Sequence, residues 1–561
     1  MRRLLLAALA AALVAPASAP AADPVLPLAE VQPGMRCTGL TVVRGLQIAP
    51  FDVEVVDVVD ATGGGAARII VRVSGPAVDA TGLGPGFSGS PILCTGPDGV
   101  ARNIGAISEG IGEYGGRVAL ATPIEAILAQ PALPPAATRS AVIGARRLAG
   151  PLTIAGLRPS LARAFVRAAR RAGRVLIASP SGTRTAYPPQ PLVPGASVFA
   201  GLTSGAIALG AVGTVAYADG ASVWAFGHEL DGAGRRALFL QDAYVHTVVN
   251  NPLGLADVST YKLASSGNDR GTLTSDGPNG VVGLLGAPPP SFPLRVTAKD
   301  VDTGRIRSAV TQIADEGDVG LPAGVSPLSI VAGAAVAEAA AGILDGAPAR
   351  QSGELCLKAT LRELRAPLRM CNRYAVDGAT PNALAGAAAE DVASAVDVLE
   401  SYRFGTLHPT SIELGLRVRR GLRQAFMTGA SGPRVVRRGR EFVLRLRLRH
   451  GGTGARTTRT LRLRLPPTAP TGLRTLRLLG TPADAGGDPA QEIDLSVLFE
   501  ADDEPDAGDL GPESLDELRR DFQRLSRRDG VRARIGGDER LVHRDPRLHI
   551  SGEARVRLLI R

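Results

Sequence analysis

Eleven residues, Gly82-Leu-Gly-Pro-Gly-Phe-Ser-Gly-Ser-Pro-Ile92, constrain this chain more than any other stretch. Glycines at 84, 86 and 89 permit positive φ and a close approach of backbone to a ligand, so the stretch predicts a tight turn between two short apolar runs. The turn presents Ser88, a candidate nucleophile. On such a bend the amides of Gly86 and Ser88 are candidate donors to a developing oxyanion. A glycine-rich β-turn without chemistry accounts for the same letters. Gly84-x-Gly86-x-x-Gly89 also has the spacing of a dinucleotide loop, but that loop needs a helix directly after it. Pro91-Ile-Leu-Cys94 predicts a strand instead, so no cofactor is expected.

A chain of 561 residues is too long for one core, and typical domain sizes suggest about three to five domains. With 45% hydrophobic residues, 4% aromatics and 68 glycines, it predicts a turn-rich, β-leaning globular protein rather than a disordered one. The net charge of +10 rests on arginine, since Lys262, Lys299 and Lys358 are the only lysines. A bias of that kind is weak ground for any partner, and no nucleic acid is expected.

Met1-Arg-Arg, an apolar run from Leu4 to Val14 and the small residues up to Ala22 have the three parts of a secretory signal. The mature chain is expected outside the cytoplasm, as a periplasmic, extracellular or envelope-associated protein, with no transmembrane anchor. Ile330 to Leu344, interrupted by Glu338, predicts a buried helix rather than a span. Four cysteines in an exported chain are expected to pair, Cys37 with Cys94 and Cys356 with Cys371, because these pairings keep each bond inside one domain. No cysteine–histidine cluster has zinc spacing, and no metal is expected.

Thr41-Val-Val, Phe51 to Val59 and Ile69 to Val73 read as strands ending at glycine turns, and Thr122-Pro123 as a capped helix start. Pro33-Gly-Met, Gly39-Leu-Thr-Val-Val, Pro50-Phe-Asp-Val-Glu-Val, Ser74-Gly-Pro, Gly86-Phe-Ser-Gly-Ser-Pro, Gly105-Ala-Ile and Thr122-Pro-Ile-Glu together resemble the serine-bearing region of the SpoIVB-type serine peptidases. Phe87 stands where that family usually has methionine. The resemblance implies chymotrypsin-like β-barrel halves, a secreted serine endopeptidase, and a protein or peptide substrate, with the chain itself one candidate; an envelope-associated partner is a further candidate.

Val212 to His228 reads as a strand, an Asp219-Gly220 hairpin and a returning strand that ends in Gly227-His228. No histidine precedes position 228, so His228 is the expected general base, ahead of His246 on context. The family places its histidine after a similar hairpin. Its aspartate would align near Ser74 and Gly75, neither of them acidic; Asp79 is nearby but offset, and Asp57, Asp231 and Asp242 are alternatives. A Ser-His dyad, a substitute carboxylate and a fold retained without chemistry all stay open.

Ser160 to Gly173 predicts an amphipathic helix with Ser160 as its N-cap. Period-two alternation from Ser411 to Leu465, plainest in Val443-Leu-Arg-Leu-Arg-Leu-Arg449, predicts an immunoglobulin-like sandwich with arginines outward. Ser514-Leu-Asp-Glu517 is a capping box that opens a last helix, and Glu553 to Ile560 reads as a closing strand. The expected fold is thus mainly β with minor α. Its expected divisions are a leader (1–22), a serine-bearing barrel (23–135), a helical connector (136–190), a histidine-bearing β domain (191–300), a helical segment (301–350), a sandwich (351–499), an acidic linker (500–511) and a helix with a strand (512–561).

Overall fold

The computed structural model describes residues 23–59, 67–111, 115–134, 150–180, 187–251, 259–316, 326–344, 348, 350–377, 382–480, 495, 498–499, 511–528, 530–535, 538–545 and 548–561. The expected leader and the acidic run from Glu500 to Asp509 lie outside them.

The chain is mainly β. Strands β1 (Arg36–Val42), β2 (Ile48–Val59), β3 (Arg68–Ser74), β4 (Pro91–Thr95), β5 (Ala101–Ile111) and β6 (Val118–Pro123) close into a barrel in the order β1-β2-β3-β6-β5-β4. Alternate residues on β2 and β3, Phe51, Val53, Val55, Ile69, Val71 and Val73, turn inward and fill it. Cys37 and Cys94 face each other across β1 and β4 and are disulfide-bonded. Helix α1 (Ile124–Leu128) follows without the expected threonine cap. The Thr122 hydroxyl instead donates to Gly227 O at 2.6 Å.

A second closed unit comes from β7 (Leu152–Ala155), β8 (Leu176–Ala178), β9 (Ser197–Gly201), β10 (Thr203–Gly205), β11 (Ala208–Asp219), β12 (Ser222–Ala225), β13 (Gly234–Val249), β14 (Tyr261–Gly277) and β15 (Gly280–Leu285). All but β10 join one sheet, β12-β15-β14-β13-β9-β11-β7-β8, and pairing of β11 with β12 closes six of its strands into a ring. The connector therefore supplies two strands as well as helix α2 (Pro159–Arg171). Arg158 rather than Ser160 is the N-cap of α2, with its N–H and guanidinium both donating to Glu338.

β16 (Ser291–Asp300), β17 (Ile306–Ala314), β18 (Arg350–Leu361), β19 (Leu368–Asp377) and β20 (Pro409–Arg420) join β10 in a third sheet, β10-β17-β16-β20-β18-β19. Helices α3 (Pro327–Ile343) and α4 (Ala383–Glu400) pack against it. α3 is buried along most of its length, as expected of a core helix that is apolar all round. Cys356 and Cys371 join β18 to β19. The sheet does not begin afresh at 351, the expected start of the sandwich: β20 pairs with β16, and β18 and β19 extend the same sheet beyond β20, because alternation specifies which face is buried but not which neighbour a strand takes.

Two further sheets share a core of Leu444, Leu446, Leu448, Leu476, Leu478, Ile550 and Leu558. They contain β21 (Gln424–Ser431), β22 (Val435–Val436), β23 (Glu441–His450), β24 (Arg456–Arg464), β25 (Gly472–Leu479), β26 (Val531–Ile535), β27 (Asp538–His543), β28 (His549–Ser551) and β29 (Glu553–Ile560). Their orders are β24-β23-β21-β28 and β22-β29-β25-β26-β27, with β21–β28 and β22–β29 parallel where an immunoglobulin-like sheet is antiparallel. Helix α5 (Leu515–Arg524) carries the expected cap, Ser514 Oγ accepting from Glu517 N–H at 3.2 Å. Its Leu518 and Phe522 enter the core of the central sheets, not that of the terminal pair.

Candidate functional site

Ser88 lies in the loop between β3 and β4 of the first barrel, and His228 in the loop between β12 and β13 of the second. These loops meet. Gly89 N–H donates to Ile107 O at 2.7 Å, and Ser88 O accepts from Thr214 N–H on β11 at 2.8 Å. On the other side, Phe226 N–H donates to Thr214 O at 3.2 Å, and a Cβ on Gly227 would stand 3.1 Å from the same Ile107 O. The two loops therefore share Thr214 and Ile107.

Close approach explains the glycine. At position 89, with φ +92°, a Cβ would lie 1.9 Å from Thr214 O, so no side chain fits there. Across the seam Phe226 and Gly227 both take left-handed backbone, φ 70° and 69°, and turn the chain sharply out of β12 just before His228. A phenylalanine so placed costs on the order of 1–3 kcal/mol, offset here by burial of its ring against Gly213. Strain of this kind concentrates where a loop must aim a side chain.

Within the serine loop the amides divide into two sets. Those of Phe87, Gly89 and Ser90 donate to Gly84 O, Ile107 O and Phe87 O. Those of Gly86 and Ser88 donate to no protein acceptor among the described residues. The uncommitted pair is the pair singled out in the sequence, and Gly86 holds φ +94°.

His228 is half-buried, its Nδ1 2.5 Å from Glu229 O. A carbonyl can only accept, so Nδ1 is assigned the proton and Nε2 keeps its lone pair. Burial draws the imidazole pKa below its ordinary value, against the Glu229 carbonyl and the charges of Glu109, Asp276 and Glu229. No hydrogen bond joins His228 to Ser88 among the described residues.

None of the aspartates considered from sequence orients this imidazole. Asp57 is exposed on β2, and Asp79 pairs with Arg117 at the surface. Asp231 is held by Arg236 at 2.6 Å, and burial together with the facing Asp276 pushes its pKa up. Asp242 accepts from Tyr187 Oη, Gln190 N–H and Asn268 N–H. The orienting acceptor is instead the Glu229 carbonyl.

A serine–histidine hydrogen bond does form elsewhere, between Ser265 Oγ and His246 Nε2 at 2.8 Å. Ser265 is 5% exposed, sits mid-strand on β14 and is bonded to Ser179 and Pro180 O. It has neither the access nor the free amides of the Ser88 loop.

Sequence reasoning assigns neither Lys262 nor Thr214 a part in the site. Lys262 is 1% exposed, lies under the Ser88 loop and donates from Nζ to Thr41 Oγ1 and Thr214 Oγ1. A lysine in Tyr261-Lys-Leu reads as an outward strand residue; its rarity in an arginine-rich chain was the one available signal.

Comparison of the chain with protein-family models, curated proteins and solved structures finds no match.

Proposed function

We propose that the chain is a serine endopeptidase of the SpoIVB type, with Ser88 as nucleophile, His228 as general base and the Gly86 and Ser88 amides as oxyanion hole. The observation that carries this reading is the pair of uncommitted amides flanking Phe87, at the seam where the Gly227-His228 loop arrives. Ser88 Oγ attacks the scissile carbonyl carbon while its proton passes to His228 Nε2, and the two amides receive the tetrahedral oxyanion. Collapse expels the amine, which takes the proton from His228; water then repeats the sequence on the acyl-enzyme. The Glu229 carbonyl fills the orienting place of the usual aspartate. Substrates are proteins or peptides outside the cytoplasm, a location that the two disulfides suit. A fluorophosphonate tests the reading: wild type labels at Ser88 and Ser88→Ala does not.

The second reading is a binding or scaffold module built on the same barrels. Among the described residues no carboxylate is hydrogen-bonded to His228 and no hydrogen bond joins it to Ser88, which favours it. A wild type that neither reacts with the probe nor cleaves itself or a peptide library, together with a Ser88→Ala variant that complements a deletion strain, establishes the scaffold instead.

A further inference from the structure

Lys262 is one of three lysines in a chain with 63 basic residues, and it is almost fully buried. From β14 its N–H donates to Pro85 O at 2.9 Å, and its stem runs beneath Gly86, where an added Cβ would stand 2.9 Å from the lysine Cβ. Nζ reaches Thr41 Oγ1 on β1 at 2.7 Å and Thr214 Oγ1 on β11 at 3.0 Å, and it lies 4.8 Å from the centre of the Phe87 ring. Thr214 Oγ1 in turn donates to Gly86 O at 2.9 Å, while Thr214 N–H donates to Ser88 O at 2.8 Å. A hydroxyl has one proton, and that of Thr214 goes to Gly86, so Thr214 accepts from Lys262. The relay runs one way, Lys262 to Thr214 to the serine loop.

The groups facing Nζ are two hydroxyls from different barrels and one aromatic face. An ammonium is suited to all three, two as acceptors and the ring as a cation–π partner. An arginine needs a wider, planar array of acceptors than two hydroxyls provide. The lysine therefore meets a steric and donor requirement set by the loop above it.

Resting on the peptidase reading, we propose that Lys262 is a positioning residue: from between the barrels its amino group, through Thr214, holds Gly86, Phe87 and Ser88 in the arrangement that leaves the Gly86 and Ser88 amides uncommitted. Burial alone draws the lysine pKa down to about 7. The ammonium and amine forms therefore exchange within the working pH range of a serine–histidine pair.

The experiment compares full-length wild type, Lys262→Met and Thr214→Val. The readouts are the rate of fluorophosphonate labelling from pH 5 to 9, hydrogen exchange of the 82–92 segment, and thermal melting. Replacing a buried charge with an apolar side chain of similar volume is often neutral or stabilising, so Lys262→Met is expected to melt no lower than wild type. It should nevertheless label about tenfold more slowly or worse, exchange faster within 82–92 only, and lack the inflection near pH 7 expected of wild type. Thr214→Val cuts the relay at its middle and should slow labelling similarly, which keeps the proposal testable if the methionine variant fails to fold. Wild-type labelling and exchange in both variants overturn the proposal. So does a Lys262→Met protein that is dead while His228→Ala still labels, since that makes the lysine the base. An unlabelled wild type sinks the peptidase reading, whereas unchanged exchange at 82–92 sinks the positioning, so the two failures are distinct.

Discussion

The Ser88 carbonyl accepts the Thr214 amide at 2.8 Å, and this bond fastens the serine loop of one barrel to a central strand of the other. Thr214 also supplies the hydroxyl that holds Gly86 and the carbonyl that receives Phe226, so one residue sets the position of both loops.

If Ser88 is the nucleophile, Ser88→Ala should lower peptidase activity by up to ~10⁶-fold, His228→Ala by a comparable factor, and the double variant by little more, because members of one catalytic unit fail together. Steady-state rates on a peptide substrate check this, with thermal melts showing that folding is barely touched. Additive losses would argue that the two residues act separately.

The pH dependence carries two signs. His228 has a folded pKa below 6.5, so it is the neutral base at neutral pH, and labelling should rise with pH through a midpoint below 6.5. Lys262 has a folded pKa of about 7 against 10.5 unfolded. Between these values the unfolded chain binds a proton that the folded chain does not, so stability should climb from pH 7 towards 10.5. Denaturant melts of wild type should show that climb and those of Lys262→Met should lose it; an identical slope in both rules out the lysine as its source.

Gly89→Ala should be severe, because the new Cβ lies 1.9 Å from a backbone oxygen at a position with φ +92°. A loss of about 3 kcal/mol or more is expected, with loss of labelling. Gly99→Ala, with φ +75° and open space around it, is the control and should cost about 1–2 kcal/mol. Equal urea midpoints for the two variants would contradict the close approach at 89.

Non-reducing peptide mapping should find Cys37 linked to Cys94 and Cys356 to Cys371. In the loop-entropy account these bonds, with sequence separations of 57 and 15, restrain the unfolded chain by about 4 and about 3 kcal/mol. Reduction should lower the melting temperature, the first bond mattering more. Links that cross between the pairs would refute the strand registers of β1–β4 and β18–β19.

Local chemistry was written in the sequence. The glycine turn around Ser88, the hairpin before His228, the Ser514 cap and the outward arginines of β23 each follow from residues a few positions apart, where φ, side-chain period and capping hydrogen bonds are decided; the cysteine partners follow from there being four, placed two to a domain. Strand and side-chain partners far along the chain, the disulfides apart, were decided only in the tertiary structure. β18 to β20 fall in the stretch read as a sandwich, but β20 pairs with β16 and brings β18 and β19 into its sheet, since alternation names a face and leaves the neighbour open. Thr122 read as a cap, yet its hydroxyl serves Gly227 in the other barrel. The acceptor on His228 is a backbone carbonyl, which every residue carries, and only the left-handed turn at Phe226 and Gly227 leads into it. Nothing in the residues around Lys262 assigns it a role; burial between two barrels, which obliges its amino group to find acceptors on both, is what joins it to the serine loop.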